Sequence, residues 1–161
     1  MSLRAWRICK AKHARNAFDG EGAYLYGGRW NSPGFRAVYL GGSPGITALE
    51  MIVHTDDPED LYRMPYVLIP VDFDPSWIIR PAHLPPDWKQ DPPPQSTASI
   101  GDAWIAQETS LILEVPSAVI VIEKNYILNP VHADFPRLKI GKPEPFEFDS
   151  RLGKLWPRMG N

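Results

Sequence analysis

The distribution of hydrophobic and polar residues predicts short strands and short helices. Short apolar runs bounded by turn residues are typical of buried strands. Strands are predicted at residues 3–9, 37–40, 66–71, 111–115 and 118–122, with shorter candidates at 138–140 and 146–148. Helices are predicted at 46–54, behind Ser43 as a cap and Pro44 at the first helical position, and at about 100–108. Because strands and helices do not alternate regularly, this pattern favours an α+β domain with a mixed sheet.

Two segments show no hydrophobic period. Residues 18–34 are rich in glycine and turn residues, which predicts a loop that passes close to a ligand. Residues 80–98 contain six prolines and predict a long surface loop or lid. With 18 prolines in 161 residues, about twice the usual share, a bundle of long helices is excluded.

Composition narrows the class of protein. The chain is 43% hydrophobic and 22% charged, and its length suits one globular domain over residues 1–161. A net charge of −2 argues against direct binding to nucleic acid. No apolar run reaches the roughly 20 residues that span a membrane. With no signal-peptide pattern and one cysteine, Cys9, a soluble cytoplasmic protein is expected.

Several common catalytic motifs are missing from the sequence. The four histidines show no metal-ligand spacing, so no metal site is expected. The glycines at 27–34 match neither a Walker loop nor a dinucleotide fingerprint. Ser117 does not lie in a G-x-S-x-G elbow, which argues against serine hydrolase chemistry.

Two charged residues carry a chemical hypothesis on the pattern alone. Arg29 lies in the glycine-rich turn, where a guanidinium suits phosphate, although a surface arginine in a turn is the simpler interpretation. Glu50 lies in an almost wholly apolar helix, so it needs a partner or a function unless it reaches solvent at the helix edge. His54, four residues later, is a candidate partner. Tyr39 and Asn129 are ordinary core and turn residues by pattern.

These residues, in this order, resemble the RES domain, the toxin half of a class of bacterial toxin–antitoxin pairs. The family is named after an arginine, a glutamate and a serine, which here correspond to Arg29, Glu50 and Ser117. The resemblance runs from about residue 4 to 152. It is also carried by the segments 18–23, 38–40, 101–104, 125–132 and 148–152.

The resemblance implies a fold like that of the ADP-ribosyltransferases and cleavage of the nicotinamide–ribose bond of NAD. NAD is then a substrate and no cofactor is expected. Glu50 would stabilise the positive charge on the ribose, Arg29 would clamp phosphate, and Tyr39 would orient the nicotinamide or ribose. The substrate-binding candidates are Arg7, Arg29, Tyr39, Ser117 and Asn129.

The resemblance leaves three functions open. The first is a toxin that depletes NAD by hydrolysis or phosphorolysis, and the second is a mono-ADP-ribosyltransferase that modifies a protein. The third is a non-catalytic module that binds a nucleotide or a protein. The resemblance also implies an antitoxin partner with a helix-turn-helix domain, which would make the DNA contacts, and a homodimer within the toxin–antitoxin complex.

Overall fold

The longest ladder of the fold joins β1 (Leu3–Lys10) and β3 (Tyr66–Phe73), which pair antiparallel along their whole length. The computed structural model describes residues 1–155. Ala5 of β1 lies opposite Val71 of β3, and both are fully buried. The two predicted strands at 3–9 and 66–71 are therefore confirmed.

The other strands extend this ladder on both sides. They are β2 (Val38–Gly41), β4 (Ile78–Ile79), β5 (Ile112–Pro116), β6 (Lys124–Leu128), β7 (Lys139–Ile140) and β8 (Glu144–Phe146). Within residues 1–155 all eight strands form one sheet in the order β4-β5-β6-β2-β1-β3-β7, and β8 also pairs with β3. The pair β4–β5 is parallel and the other pairs are antiparallel. The predicted α+β class with a mixed sheet is confirmed.

The sheet divides at its centre, between β1 and β2. These strands pair at a single register position, Trp6 with Gly41. The backbone carbonyl of Tyr39 in β2 does not pair with β1. It accepts a hydrogen bond from the Arg7 guanidinium at 3.1 Å. The sheet therefore has an internal gap between two strand edges.

Four α-helices surround the sheet in the described residues: α1 (Glu21–Tyr26), α2 (Pro44–His54), α3 (Asp60–Arg63) and α4 (Gln95–Gln107). Short 3-10 helices lie at Ala11–Asn16, Pro75–Trp77, Phe135–Arg137 and Ser150–Leu155. The helix α2 starts as predicted, because the Ser43 hydroxyl accepts the Ile46 N–H at 3.2 Å. It packs on β1 and β2 and so borders the gap.

The helix α4 fixes the glycine-rich turn against the sheet. Its Trp104 and Ile105 are buried in one cluster with Trp30 and with Leu113 of β5. At Gly101 the helix backbone approaches the backbone of Trp30 so closely that an added Cβ would lie 1.5 Å from the Trp30 carbonyl oxygen. Only glycine fits at this position, so the segment that contains Arg29 has a fixed place relative to β5.

The predicted strand at 118–122 is wrong. These residues form a turn, and Ile122 is 86% exposed. Ser117 closes the turn, because its hydroxyl accepts the N–H groups of Val119 and Ile120 at 3.0 and 3.2 Å. The strand that follows β5 is β6, in a stretch that the hydrophobic pattern assigned to a loop.

Three other boundaries differ from the prediction. The glycine-rich loop at 18–34 contains α1, which starts where Asp19 accepts the Glu21 N–H at 2.9 Å. The helix predicted at 100–108 begins at Gln95, directly after a run of prolines, so the proline-rich loop ends at residue 94. The strand predicted at 146–148 lies at 144–146. Residues 156–161, the end of the predicted domain, lie outside the described residues.

Candidate active site

A cavity of about 410 Å³ occupies the gap between β1 and β2. Consecutive residues of each strand line it, including Arg7 of β1 and Tyr39 of β2, because the cavity meets strand edges and not a sheet face. The helix α2 contributes Glu50 and His54, and the glycine-rich turn contributes Arg29. Ligand sites are commonly cavities of this size with a few convergent polar groups.

Glu50 holds the densest hydrogen-bond network of the cavity. Its Oε1 accepts hydrogen bonds from the Ser117 hydroxyl and from the Asn125 side-chain amide, each at 2.7 Å. Its Oε2 lies 3.2 Å from His54 Nε2, one helical turn along α2. The side chain is only 21% exposed, and the predicted pairing with His54 is confirmed.

These contacts keep Glu50 in the charged form. Burial raises the pKa of the Glu50 carboxyl, but hydrogen bonds from His54, Ser117 and Asn125 lower it by more. The net pKa lies below the ordinary value of 4.5. Glu50 is therefore a carboxylate at neutral pH, which suits the stabilisation of positive charge and not the donation of a proton.

Arg7 of β1 places a buried cation in the wall of the same cavity. Its Nη1 donates to the Tyr39 carbonyl, but its Nε is buried without a hydrogen-bond partner. Within residues 1–155 it forms no ion pair with a carboxylate. Burial lowers the pKa of Arg7, although an arginine remains charged in proteins. A buried and uncompensated guanidinium favours an anionic ligand.

Arg29 stands at the rim of the cavity and is held by the proline-rich loop. Its Nη1 donates to the carbonyl oxygens of Trp88 and Gln90 at 2.8 and 2.7 Å. The loop that was predicted at 80–98, and that ends at residue 94, thus fixes the orientation of a guanidinium that the sequence indicated as a phosphate ligand. The simpler interpretation of Arg29, a solvated turn residue, does not describe this arrangement.

Tyr39 lines the cavity, and its hydroxyl is engaged in two hydrogen bonds to the glycine-rich turn. The hydroxyl donates to Asn31 Oδ1 at 2.7 Å and accepts the Trp30 N–H at 3.1 Å. Burial raises the pKa of Tyr39, so the phenol stays protonated. An added Cβ at Gly28 would lie 2.7 Å from this hydroxyl, which explains the glycine there. Tyr39 therefore offers a fixed aromatic surface and not a proton donor.

The two other predicted ligand residues differ in position. Ser117 is fully buried and contacts Glu50 through its hydroxyl, so it lies behind the carboxylate and not on the cavity wall. Asn129 does not line the cavity. It is 0% exposed, its amide lies 3.4 Å from the Ile105 carbonyl, and its Oδ1 accepts the Val131 N–H at 3.2 Å. Its polar atoms are satisfied by the backbone, so Asn129 is corrected from a substrate contact to a structural residue.

Asn125 and Asn31 are site residues that the sequence did not indicate. Asn125 belongs to β6, which the hydrophobic pattern assigned to a loop, and its Oδ1 is buried without a partner. Asn31 is 1% exposed, and its amide contacts the carbonyls of Ala23, Ser32 and Phe35. An asparagine inside a glycine-rich turn was the available signal for Asn31, but such residues are ordinary in turns.

Comparison with known proteins identifies the family. The family model of the RES domain matches residues 4–149. A protein named Toxin Res from Yersinia enterocolitica is 36% identical over 151 residues, which cover 93% of this chain and 99% of that protein. The chain belongs to the RES domain family. This confirms the resemblance noted from Arg29, Glu50 and Ser117.

Other relatives of this RES domain also match nearly the whole chain. A Toxin Res from Photorhabdus laumondii is 37% identical and covers 92% of this chain and 96% of its own. A Sphingobium protein named Prs ADP-ribosylating toxin is 29% identical, with 94% and 98% covered. A chain of the crystal structure of the M. tuberculosis MbcT–MbcA toxin–antitoxin complex superposes with a TM-score of 0.73 at 20% identity, over 91% of this chain and 85% of that one. That match supports the fold.

Two further features of residues 1–155 concern metal ions and membranes. Within residues 1–155 no three His, Cys, Asp or Glu side chains are grouped so that they would hold a metal ion. In the same part of the chain no helix has the length and apolar character needed to span a membrane.

Proposed function

We propose that this RES domain is a toxin that cleaves the nicotinamide–ribose bond of NAD. The observation that carries the proposal is the charged carboxylate of Glu50, held by three hydrogen bonds in a cavity that also receives Arg7 and Arg29. An anionic ligand with a developing positive charge fits this combination. NAD has both, in its diphosphate and in the ribose from which nicotinamide departs.

Cleavage of the nicotinamide–ribose bond requires a carboxylate and does not require a general acid. When the glycosidic bond breaks, its electron pair goes to the ring nitrogen, which neutralises the cationic nicotinamide, so no proton is needed on the leaving group. The ribose acquires oxocarbenium character, as in glycoside cleavage. In this proposal Glu50 stabilises that charge and accepts a hydrogen bond from a ribose hydroxyl. Water or inorganic phosphate then bonds to the ribose carbon, and an acceptor proton is released to solvent.

The other cavity residues bind and orient the substrate in this proposal. Arg7 and Arg29 attract the diphosphate, and the Tyr39 ring packs on the nicotinamide or ribose. Ser117 and Asn125 act through Glu50 as positioning residues, because both donate to Oε1. No metal or recycled cofactor takes part in these steps.

A second function shares the same bond cleavage. A relative with 29% identity over nearly the whole chain is named Prs ADP-ribosylating toxin, which favours transfer of ADP-ribose to a protein as the alternative. The two functions differ only in the acceptor that bonds to the ribose carbon. The residues that touch the ribose and diphosphate serve both.

The proposal includes a protein partner. A structural neighbour comes from a toxin–antitoxin complex, which supports an antitoxin for this chain as well. We expect a helix-turn-helix antitoxin that makes the DNA contacts, consistent with the net charge of −2 here. A homodimer within that complex and a cytoplasmic location, where NAD is available, belong to the same proposal.

The deciding experiment is NAD consumption by the purified protein, followed by proton NMR with and without inorganic phosphate. The wild-type protein should release nicotinamide, and Glu50→Gln should reduce the rate about 10²- to 10³-fold, since it removes the charge at nearly constant shape. Glu147→Gln, at an exposed carboxylate away from the cavity, is the matched control. In cells, co-expression of the antitoxin should prevent both NAD loss and growth arrest.

Three outcomes separate the candidate functions. Nicotinamide release that depends on phosphate or water identifies NAD depletion. Slow release from NAD alone, with label from NAD appearing on a protein in a lysate, identifies ADP-ribosyl transfer. Toxicity that persists in a folded Glu50→Gln protein refutes the catalytic role of Glu50 and favours a binding module.

A further inference from the structure

One short turn of the proline-rich loop supplies both carbonyls that orient Arg29. The carbonyl oxygens of Trp88 and Gln90 accept the hydrogen bonds from Arg29 Nη1. The backbone carbonyl of Asp87 accepts the Gln90 N–H at 2.9 Å, which closes residues 87–90 into a turn. Both acceptors therefore belong to one unit, the turn 87–90. The position of this turn determines the orientation of the guanidinium.

A polar contact attaches the turn 87–90 to α4. The Ser96 hydroxyl donates to Asp87 Oδ1 at 2.6 Å, and Ser96 is the second residue of α4. A carboxylate near a helix N-terminus is favoured by the helix dipole. The Trp88 side chain adds apolar packing against the cluster that contains Trp104 of α4. Apolar packing is non-directional, whereas a hydrogen bond sets a distance and an angle, so the contact of Asp87 with Ser96 fixes the turn most closely.

The same helix also holds the segment that carries Arg29. Gly101 of α4 lies against the backbone of Trp30, the residue after Arg29. Ser96 and Gly101 are five residues apart, which is about 7.5 Å along the helix axis. The helix α4 thus fixes the backbone beside Arg29 through Gly101, and the turn that orients its side chain through Ser96. One element sets the guanidinium and its two acceptors relative to each other.

Prolines flank the turn 87–90 on both sides. Pro85 and Pro86 precede it, and residues 92–94 are three consecutive prolines that lead into α4. Proline fixes the backbone angle φ, so these flanks have few conformations. We therefore expect the turn to move as one unit, and a change at Asp87 to displace both carbonyls together.

We propose that Asp87 and Ser96 are positioning residues for diphosphate binding: through the turn 87–90 they hold Arg29 in the orientation that binds the anion. Neither residue lines the cavity between β1 and β2. The inference rests on the proposed function for the identity of the ligand. Its physical basis is preorganisation, because a guanidinium that is already oriented loses less side-chain entropy when it binds an anion.

The test is a double-mutant cycle on the affinity for ADP-ribose, measured by isothermal titration calorimetry. Ser96→Ala should weaken ADP-ribose binding about three- to tenfold, since the guanidinium must then be ordered on binding. In an Arg29→Met protein the same substitution should have no further effect, because the residue through which it acts is gone. Ser99→Ala is the matched control: Ser99 is exposed on the same helix, and its hydroxyl accepts a hydrogen bond from Gln95 at 3.4 Å.

Two further measurements separate positioning from a structural role. Asp87→Ala should reproduce the effect of Ser96→Ala, whereas Asp87→Asn keeps an oxygen acceptor for the Ser96 hydroxyl and should retain the affinity within about twofold. Side-chain nitrogen NMR follows Arg29 without any ligand. The two carbonyls that bind Nη1 slow the rotation of this group in the wild-type protein, and Ser96→Ala should make the rotation faster.

The outcomes separate this inference from the proposed function. The inference is overturned if Ser96→Ala binds ADP-ribose like the wild-type protein, weakens binding equally with and without Arg29, or leaves the rotation of the Arg29 group unchanged, even where NAD is consumed. If the cycle shows coupling but the protein never consumes NAD, the positioning role stands and the proposed reaction fails. A wild-type protein that does not bind ADP-ribose overturns both. Circular dichroism verifies that each variant folds, and Asp87→Ala replaces Ser96→Ala in the cycle if the latter does not.

Discussion

At the scale of single residues, the cavity is lined by charges of both signs, and only one of the two charges has its hydrogen-bond partners within the protein. Glu50 receives hydrogen bonds from three side chains, whereas Arg7 receives no compensating carboxylate in the described part of the chain. A buried charge without a partner destabilises a fold unless a ligand supplies one. The imbalance is understandable if the anion that completes the site arrives with the substrate.

The hydrogen bonds to Glu50 predict a pH dependence. They hold the pKa of Glu50 below 4.5 against burial, which raises it. Removing one of them, in Asn125→Ala or Ser117→Ala, leaves burial less opposed, so the pKa rises and the carboxyl is protonated at higher pH. The acid limb of kcat/KM for NAD should therefore move to higher pH in both variants. Asn16→Ala, at an exposed amide, should leave the limb in place, and an unmoved limb in Asn125→Ala would contradict the charge assignment.

Replacing Arg7 should separate stability from binding. Arg7→Met removes a buried cation and keeps most of the side-chain volume, so the free energy of unfolding should stay constant or rise by about 1 kcal/mol. The affinity for ADP-ribose should fall about tenfold, since a charge-assisted contact is lost. Urea unfolding and calorimetry measure the two effects. Arg4 lies on the same strand as Arg7 and forms an exposed ion pair with Asp72 of β3, so Arg4→Met should not change ADP-ribose affinity. A large loss of stability in Arg7→Met would mean a structural role.

At the scale of elements, the position of α4 depends on one close approach. Gly101→Ala would place a methyl group against the Trp30 carbonyl, so α4 or the glycine-rich turn must shift. We expect a loss of about 3 kcal/mol in the free energy of unfolding, measured by urea titration. Gly22→Ala is the control: its Cβ meets no atom within 4 Å, and alanine should stabilise α1 by up to about 1 kcal/mol. Equal effects in the two variants would refute this packing argument.

The hydrophobic pattern along the chain predicted correctly the elements whose apolar residues face the core. It failed where apolar residues are exposed. The strands around Ala5 and Val71 and the helix that starts at Ser43 were predicted correctly, because burial and a side-chain cap left clear signals. The run at 118–122 has the same apolar character, but its side chains point outward from a turn that Ser117 holds. The Ser117 hydroxyl also donates to Glu50, 67 residues away, so a contact that comes from the fold helps to fix this turn.

The candidate site shows the same division. The pair of Glu50 and His54 was predictable because residues four apart on a helix share a face. Ser117 and Asn125 reach Glu50 across 67 and 75 residues of chain, a distance over which spacing carries no information. The resemblance to the RES family supplied Ser117. It also included the segment 125–132, but it gave no role to Asn125, which lies in a strand that local pattern assigned to a loop.

At the scale of the whole molecule, the site exists only in the complete fold. Its side chains come from β1, β2, α2, β6 and the glycine-rich turn, and they meet where β1 and β2 share one register position. No single segment contains more than two of the charged groups. The gap between β1 and β2 interrupts the hydrogen-bonded ladder at the centre of the sheet, and the cavity lies in this gap.

The outer margins of the sheet also determine how another protein can attach. One margin carries the two-residue β4, and β5 continues past it to Pro116, which has no N–H to donate. On the other margin, two- and three-residue strands cover parts of β3. Such short margins offer few backbone groups for pairing with a further strand. Strand pairing at these margins can therefore contribute little to the binding of another protein.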